Sequence, residues 1–228
     1  MALSPRIVEI RQNVLKKNDL LARDLRKRFH ETGVYVVNLV SSPGAGKTTL
    51  LTETLTRLGK RHRVAALVGD LATENDAERL RQSGAKVCQI TTGTVCHLEA
   101  EMIGKALEGW DLADIDFLFI ENVGNLVCPA SYDLGEHQRV VLFSVTEGED
   151  KPLKYPTIVN SADMAVITKI DLAEAAGFQR DRFCDALHGV RPGIPILEVS
   201  VRTGEGIDEW ISRLEAGKEA FEQASVSP

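Results

Sequence analysis

The sequence predicts an α/β fold, a mostly parallel sheet flanked by helices, on three observations. From Gly33 onward short apolar runs alternate with helical stretches, beginning YVVNLV, TTLLTETLTRLG, RVAALVGD, TENDAERLRQSG and KVCQITT. The later runs DFLFIENV, RVVLFSV, MAVITKI and IPILEVS are rich in Val, Ile and Phe, as strands covered on both faces are. A glycine-rich segment separates the first apolar run from the first helical one, where a doubly wound sheet opens its ligand crevice.

The 228 residues, 43% hydrophobic and 26% charged, suit one compact domain. Before it, residues 1–32 place Ile7, Ile10, Val14, Leu21, Leu25 and Phe29 on one stripe of an amphipathic helix expected to pack on the core. Eight Lys or Arg against three Asp or Glu in residues 1–30 make its other face basic, either a docking arm or a solvated surface. The domain proper is expected over 33–222, with 223–228 a frayed tail. A net charge of −6 gives no field for nucleic acid or an anionic membrane. No run approaches the roughly 20 apolar residues of a span, and the start MALSPRIVEIRQ lacks a signal-peptide pattern. The expectation is a cytoplasmic protein whose four cysteines stay reduced.

The segment SSPGAGKTT lies between a strand ending at Val40 and a helix starting at Leu50. Gly44 and Gly46 let successive N–H groups face an anion, and the helix N-terminus adds positive potential. Ser42, Pro43, Gly44, Ala45, Gly46, Lys47, Thr48 and Thr49 are therefore the candidate phosphate contacts, with Lys47 on the β and γ phosphates and Thr48 on magnesium. The strict pattern wants Gly where Ser41 stands, which is tolerable if Ser41 keeps ordinary backbone angles. Thr168-Lys169-Ile170-Asp171 ends a later strand and resembles the guanine-reading Asn-Lys-x-Asp. The Asp171 carboxylate accepts guanine N1–H and its exocyclic amine, and adenine offers neither. Ser200, Val201 and Arg202 follow the last strand and complete the base site with Lys169. Asp70 and Glu121 end strands and supply hard oxygens for magnesium beside Thr48. Gly124 of ENVG is placed to offer its N–H to the γ phosphate. Asp76 either orients the attacking water, as a second catalytic group beside Lys47, or is a helix-start carboxylate.

Cys96-His97 and Cys128 lie beside these elements and read either as structural residues or as soft ligands suited to zinc, nickel or copper(I). The adjacent Cys96 and His97 cannot fill a tetrahedron alone, so Cys128 or a second copy of the chain must contribute, which suggests a site at a symmetric dimer interface. Cys88 and Cys184 read as small buried hydrophobes.

The blocks SSPGAGKTTLL, GDLATENDAERL, TTGTVCHLEA, FIENVGNLVCPASYDLGE and VTEGEDKPLKYP together resemble the hydrogenase nickel-incorporation GTPase family, HypB, over about residues 5 to 222. The resemblance implies a P-loop NTPase of the nitrogenase-iron-protein-like (SIMIBI) class. It also implies GTP and magnesium as cofactors, and Cys96, His97 and Cys128 as ligands of nickel or zinc near a homodimer interface. Implied partners are the small zinc-containing nickel metallochaperone HypA and the [NiFe] hydrogenase large subunit precursor. The chain lacks the N-terminal cysteine motif and histidine-rich tract of some members, with five His overall. The alternatives are a urease-type nickel GTPase, whose Cys and His are separated by a proline, and a metal-binding scaffold whose nucleotide site is structural. A small-substrate kinase would need neither Asp171 nor the soft ligands.

Overall fold

The computed structural model describes the backbone of residues 5–70 and 75–226, and side chains over 13–70 and 75–225. A long helix, α1 (Pro5–Thr32), precedes β1 (Tyr35–Ser41) and α2 (Lys47–Leu58). Then come β2 (Val64–Asp70), α3 (Asn75–Arg81), β3 (Lys86–Thr91), α4 (Ala100–Ala106), β4 (Phe117–Glu121) and β5 (Gln138–Ser144). Two short helices, α5 (Lys151–Lys154) and α6 (Pro156–Ser161), lead to β6 (Met164–Thr168). The chain closes with α7 (Ala173–Ala176), α8 (Arg180–Val190), β7 (Ile196–Val199) and α9 (Ile207–Val226).

The strands form one seven-stranded sheet in the order β3-β2-β4-β1-β5-β6-β7, and every pair is parallel. This is the arrangement the alternating runs predict. Period-two alternation sends Val37 and Leu39 of β1, Phe117 and Phe119 of β4, and Val140 and Leu142 of β5 to the face covered by α2 and α9. Val36, Leu118 and Ile120 go to the opposite face with α1 and α4, and Val141 and Phe143 join α6 and α8 there. Trp210 of α9 is fully buried, and its indole N–H is satisfied by Thr54 Oγ1 of α2 at 2.8 Å.

The N-terminal stripe is anchored differently from its pattern. Ala22, Leu25 and Phe29 are buried, whereas Val14 is 44% exposed, and the side chains of Ile7 and Ile10 lie outside the described residues. The α1 contact is instead completed by a polar residue. Asn18 is buried, donates to the Asp133 carbonyl at 2.8 Å and accepts from the Ala100 N–H at 2.9 Å. Arg26 pairs with Asp133 at 2.6 Å, so α1 clips onto the segment SYDLGE. Of residues 223–228, expected to be a frayed tail, 223–226 belong to α9, and 227 and 228 lie outside the described residues. Cys88, on the edge strand β3, and Cys184, on α8, are only partly buried. No helix among the described residues is long and apolar enough to cross a membrane.

Candidate nucleotide pocket and soft-metal cluster

In the sheet order, β1 stands between β4 on one side and β5 on the other, and the loop after it opens at the carboxyl ends of the strands. Gly46 caps α2 at φ 93° and Gly44 turns at φ 75°, angles that side chains other than glycine rarely adopt. Ser41 is absent from the positive-φ positions, so glycine is not required there. Its hydroxyl accepts from Lys47 Nζ at 2.9 Å. Burial pulls the Lys47 ammonium below its usual range, opposed by Glu121, Asp76 and Glu147. A buried cation facing an open cavity is prepared for an anion.

That cavity, about 440 Å³, is lined by Pro43, Gly44, Gly46, Lys47, Thr48 and Thr49 together with Asp70, Asp76, Arg79, Glu121, Asn122 and Gly124. Thr48 Oγ1 donates to Glu121 Oε1 at 2.6 Å, and Glu121 Oε2 is buried without a hydrogen-bond partner among the described residues. Burial pushes the Glu121 carboxyl up to about 7, against the pull of Lys47 and the Thr48 bond. An orphaned carboxylate oxygen beside a threonine hydroxyl, with Asp70 on the same wall, is a hard-oxygen set that fits magnesium. Asp76 lies in the first turn of α3 and lines the cavity, consistent with both of its readings. A Cβ on Gly124 would stand 3.0 Å from Pro43, so the loop after β4 touches the phosphate loop. Ser42 and Ala45 lie inside the loop, where Ser42 Oγ is 3.5 Å from Lys151 Nζ. Lys151 and Arg79 were not singled out by sequence, since a lysine or arginine on a short helix carries no local signature.

A second cavity of about 220 Å³ adjoins the first, walled by Gly46, Thr49, Thr168, Lys169, Asp171, Val199, Val201 and Arg202. Thr168 stands where the resembled motif has Asn, and its hydroxyl makes the tether to the phosphate loop, donating to the Ala45 carbonyl at 2.6 Å. Lys169 is the one non-glycine residue with positive φ among those described, at 59°, and its ammonium donates to the Gly44 carbonyl at 2.6 Å. That strained backbone keeps the lysine stem along the cavity wall. Asp171 accepts from Ser200 Oγ at 2.6 Å and Arg202 Nε at 2.8 Å, and these bonds hold its carboxyl below the usual range. The carboxylate is therefore ionised and aimed by two neighbours.

Cys96 follows β3 and Cys128 follows β4, and the two sulfurs stand 2.9 Å apart. The ligand atoms of Cys96, His97 and Cys128 all lie within 4.8 Å of one another. The His97 ring packs against Tyr132 with centroids 3.9 Å apart and the planes tilted by 32°. Its Nε2 is 3.3 Å from Glu99 Oε1 but poorly aligned, and neither ring nitrogen has a hydrogen-bond partner among the described residues. Burial lowers its pKa, with Glu99 opposing. A neutral imidazole beside two thiols is the donor set of a soft or borderline transition metal. Asn125 Nδ2 donates to the Cys96 carbonyl at 3.2 Å and its Oδ1 accepts from Val127 N at 2.8 Å, tying the two cysteine loops together. Tyr132, Asn125 and Glu99 escaped the sequence reading because their parts depend on contacts between distant loops.

Residues 35–198 match the family model described as CobW/HypB/UreG, nucleotide-binding domain. The hydrogenase maturation factor HypB of Escherichia coli (strain K12) is 49% identical over 210 residues, covering 92% of this chain and 72% of that protein. The hydrogenase/urease maturation factor HypB of Helicobacter pylori is 44% identical, covering 91% and 87%. Among solved structures, HypB from Helicobacter pylori in complex with nickel superposes with a TM-score of 0.85 at 42% identity, over 90% of this chain and 96% of that one. FtsY from Mycoplasma mycoides, at 14% identity and a TM-score of 0.55 over 81% of this chain and 68% of that one, shares the fold.

Proposed function

From the premise that the chain belongs to the CobW/HypB/UreG family, as one of its HypB hydrogenase maturation factors, we propose that it is a slow, magnesium-dependent GTPase. In this reading it couples nucleotide binding and hydrolysis to homodimerisation and delivery of nickel into the [NiFe] hydrogenase precursor, with HypA as a partner. The observation that carries the reading is the adjacency of the two sites. The end of β4 and the loop after it supply Glu121, Asn122 and Gly124 to the phosphate cavity, and a few residues later Cys128 to the sulfur and imidazole cluster.

The residues have defined tasks in this reading. Lys47 and the N–H groups of residues 44–49 neutralise and cradle the β and γ phosphates. Thr48, Asp70 and Glu121 hold magnesium, which when bound offsets the charge of the triphosphate. Asp171, aimed by Ser200 and Arg202, selects guanine. Gly124 donates its N–H to the γ phosphate, and Asp76 orients water. Cys96, His97 and Cys128 take the metal cargo, nickel or zinc. A fourth ligand would come from outside this set, and Val127, a large apolar side chain 62% exposed beside Cys128, supports a partner surface there.

Nickel and zinc are titrated into wild type and Cys96→Ala, with and without a nonhydrolysable GTP analogue, while metal affinity and oligomeric state are read together. The expected result is tight binding in wild type, at least about 100-fold weaker in the variant, and different between the nucleotide states. Equal affinity in all nucleotide states would defeat the delivery mechanism. Phosphate release from GTP that survives in Lys47→Ala would defeat the assignment of the hydrolytic site.

A further inference from the structure

Asn122 bonds toward one site and is unsatisfied beside the other. Its Oδ1 accepts the backbone N–H of Leu98 at 3.2 Å and of Val123 at 3.0 Å, and Leu98 directly follows Cys96-His97. The residue is 1% exposed and lines the phosphate cavity, yet its Nδ2 has no acceptor among the described residues. An amide donor buried without a partner is costly to the fold, and the groups that enter this cavity on binding are phosphate oxygens and the water they hold.

The neighbours of Asn122 are clamped on both sides. Glu121 accepts from Thr48 at 2.6 Å, Gly124 lies against Pro43, and Asn125 donates to the Cys96 carbonyl at 3.2 Å. Residues 121–125 thus form a short strap from the phosphate loop to the cysteine loop. Asn122 is the side chain within it whose planar amide has one end on the metal loop and the other unspent. A planar amide cannot move one end independently of the other, so an acceptor that fixes Nδ2 also fixes the oxygen that holds Leu98.

We propose that Asn122 is the positioning residue that carries nucleotide occupancy to the Cys96-His97 loop. Its Nδ2 donates to a phosphate oxygen or a phosphate-bound water, and its Oδ1 then holds Leu98, and with it His97, in one place. The inference deepens the reading above and rests on its nucleotide part alone.

The test is amide-resolved hydrogen exchange by NMR on the full chain, with magnesium and a nonhydrolysable GTP analogue and without transition metal. Calorimetry with the GTP and ATP analogues first identifies the nucleotide that binds, so an error in base assignment changes the probe and leaves the test standing. In wild type, saturating nucleotide slows exchange at the Leu98 amide roughly fivefold, about one hydrogen bond's worth, and shifts the Asn122 side-chain amide resonance. Asn122→Asp keeps an oxygen for Leu98 but no donor, so its Leu98 exchange is the same with and without bound nucleotide. Should the buried charge prevent folding, Asn122→Ala removes both bonds and gives the same indifference from a faster baseline. A merely structural residue would change Leu98 exchange equally in both states. The proposal is overturned if Leu98 in wild type ignores nucleotide, or if the variants respond as wild type does. Failure of Cys96 to bind metal would defeat the delivery reading and leave this result untouched.

Discussion

Thr48 Oγ1 donates to Glu121 Oε1 at 2.6 Å, joining the first turn of α2 to the end of β4. The pair closes the phosphate cavity while leaving Glu121 Oε2 without a partner among the described residues. A carboxyl held near pH 7 by burial is costly to the fold as an anion and useful as a magnesium ligand. Function and stability therefore pull in opposite directions at this residue.

Glu121→Gln separates the two. The folded protein holds the Glu121 proton more tightly than the unfolded chain does, so wild type loses stability as pH rises from the ordinary value of 4.5 to about 7. The amide removes that loss and keeps an oxygen for Thr48. Thermal unfolding at pH 8 should show a higher midpoint for the variant, while magnesium-dependent phosphate release falls roughly 100-fold.

His137 produces the reverse slope. Its Nδ1 accepts from the Val36 N–H at 3.0 Å, its ring stacks on Tyr35, and its Nε2 is buried without a partner among the described residues. Burial, with the nearby charges of Arg26 and His30, brings its pKa from 6.5 to about 4. The unfolded chain then binds the proton first, so stability present above pH 6.5 is lost as pH falls toward 4. In the Glu121→Gln background, where the opposing contribution is gone, the unfolding midpoint should fall steeply over that window. NMR of the imidazole should give an Nε2–H tautomer that titrates near 4.

Gly124→Ala places a methyl 3.0 Å from Pro43 Cα and 3.1 Å from its nitrogen, both backbone atoms that cannot rotate away. The strap must lift off the phosphate loop. Calorimetry should report nucleotide affinity reduced roughly tenfold, with circular dichroism unchanged, because φ at this glycine is not positive and the fold does not need it.

Asp171→Asn keeps the shape of the base cavity and exchanges an acceptor for a donor opposite guanine N1–H. Competition binding should show GTP weakened roughly 100-fold and xanthosine triphosphate strengthened, since xanthine presents a carbonyl where guanine has its amine. A variant with unchanged base preference would remove Asp171 from the base site.

The strand and helix alternation, the phosphate loop between β1 and α2, and the pairing of Cys96 with His97 were legible from residue order, because periodicity and short spacing encode burial and loop shape locally. Residue order did not say that β2 lies between β3 and β4, and this strand order brings the loops carrying Cys96 and Cys128 to one end of the sheet. Nor did it mark Asn122 and Asn125, whose partners Leu98 and Cys96 sit on another loop. The N-terminal stripe illustrates the same limit, since Val14 fits the helical period yet faces solvent while Asn18 is buried by its bonds to Asp133 and Ala100. Local pattern fixes which residues can be inside or on a loop. Only the packed sheet decides which loops meet, since that depends on the free energy of the whole arrangement and not on any one segment.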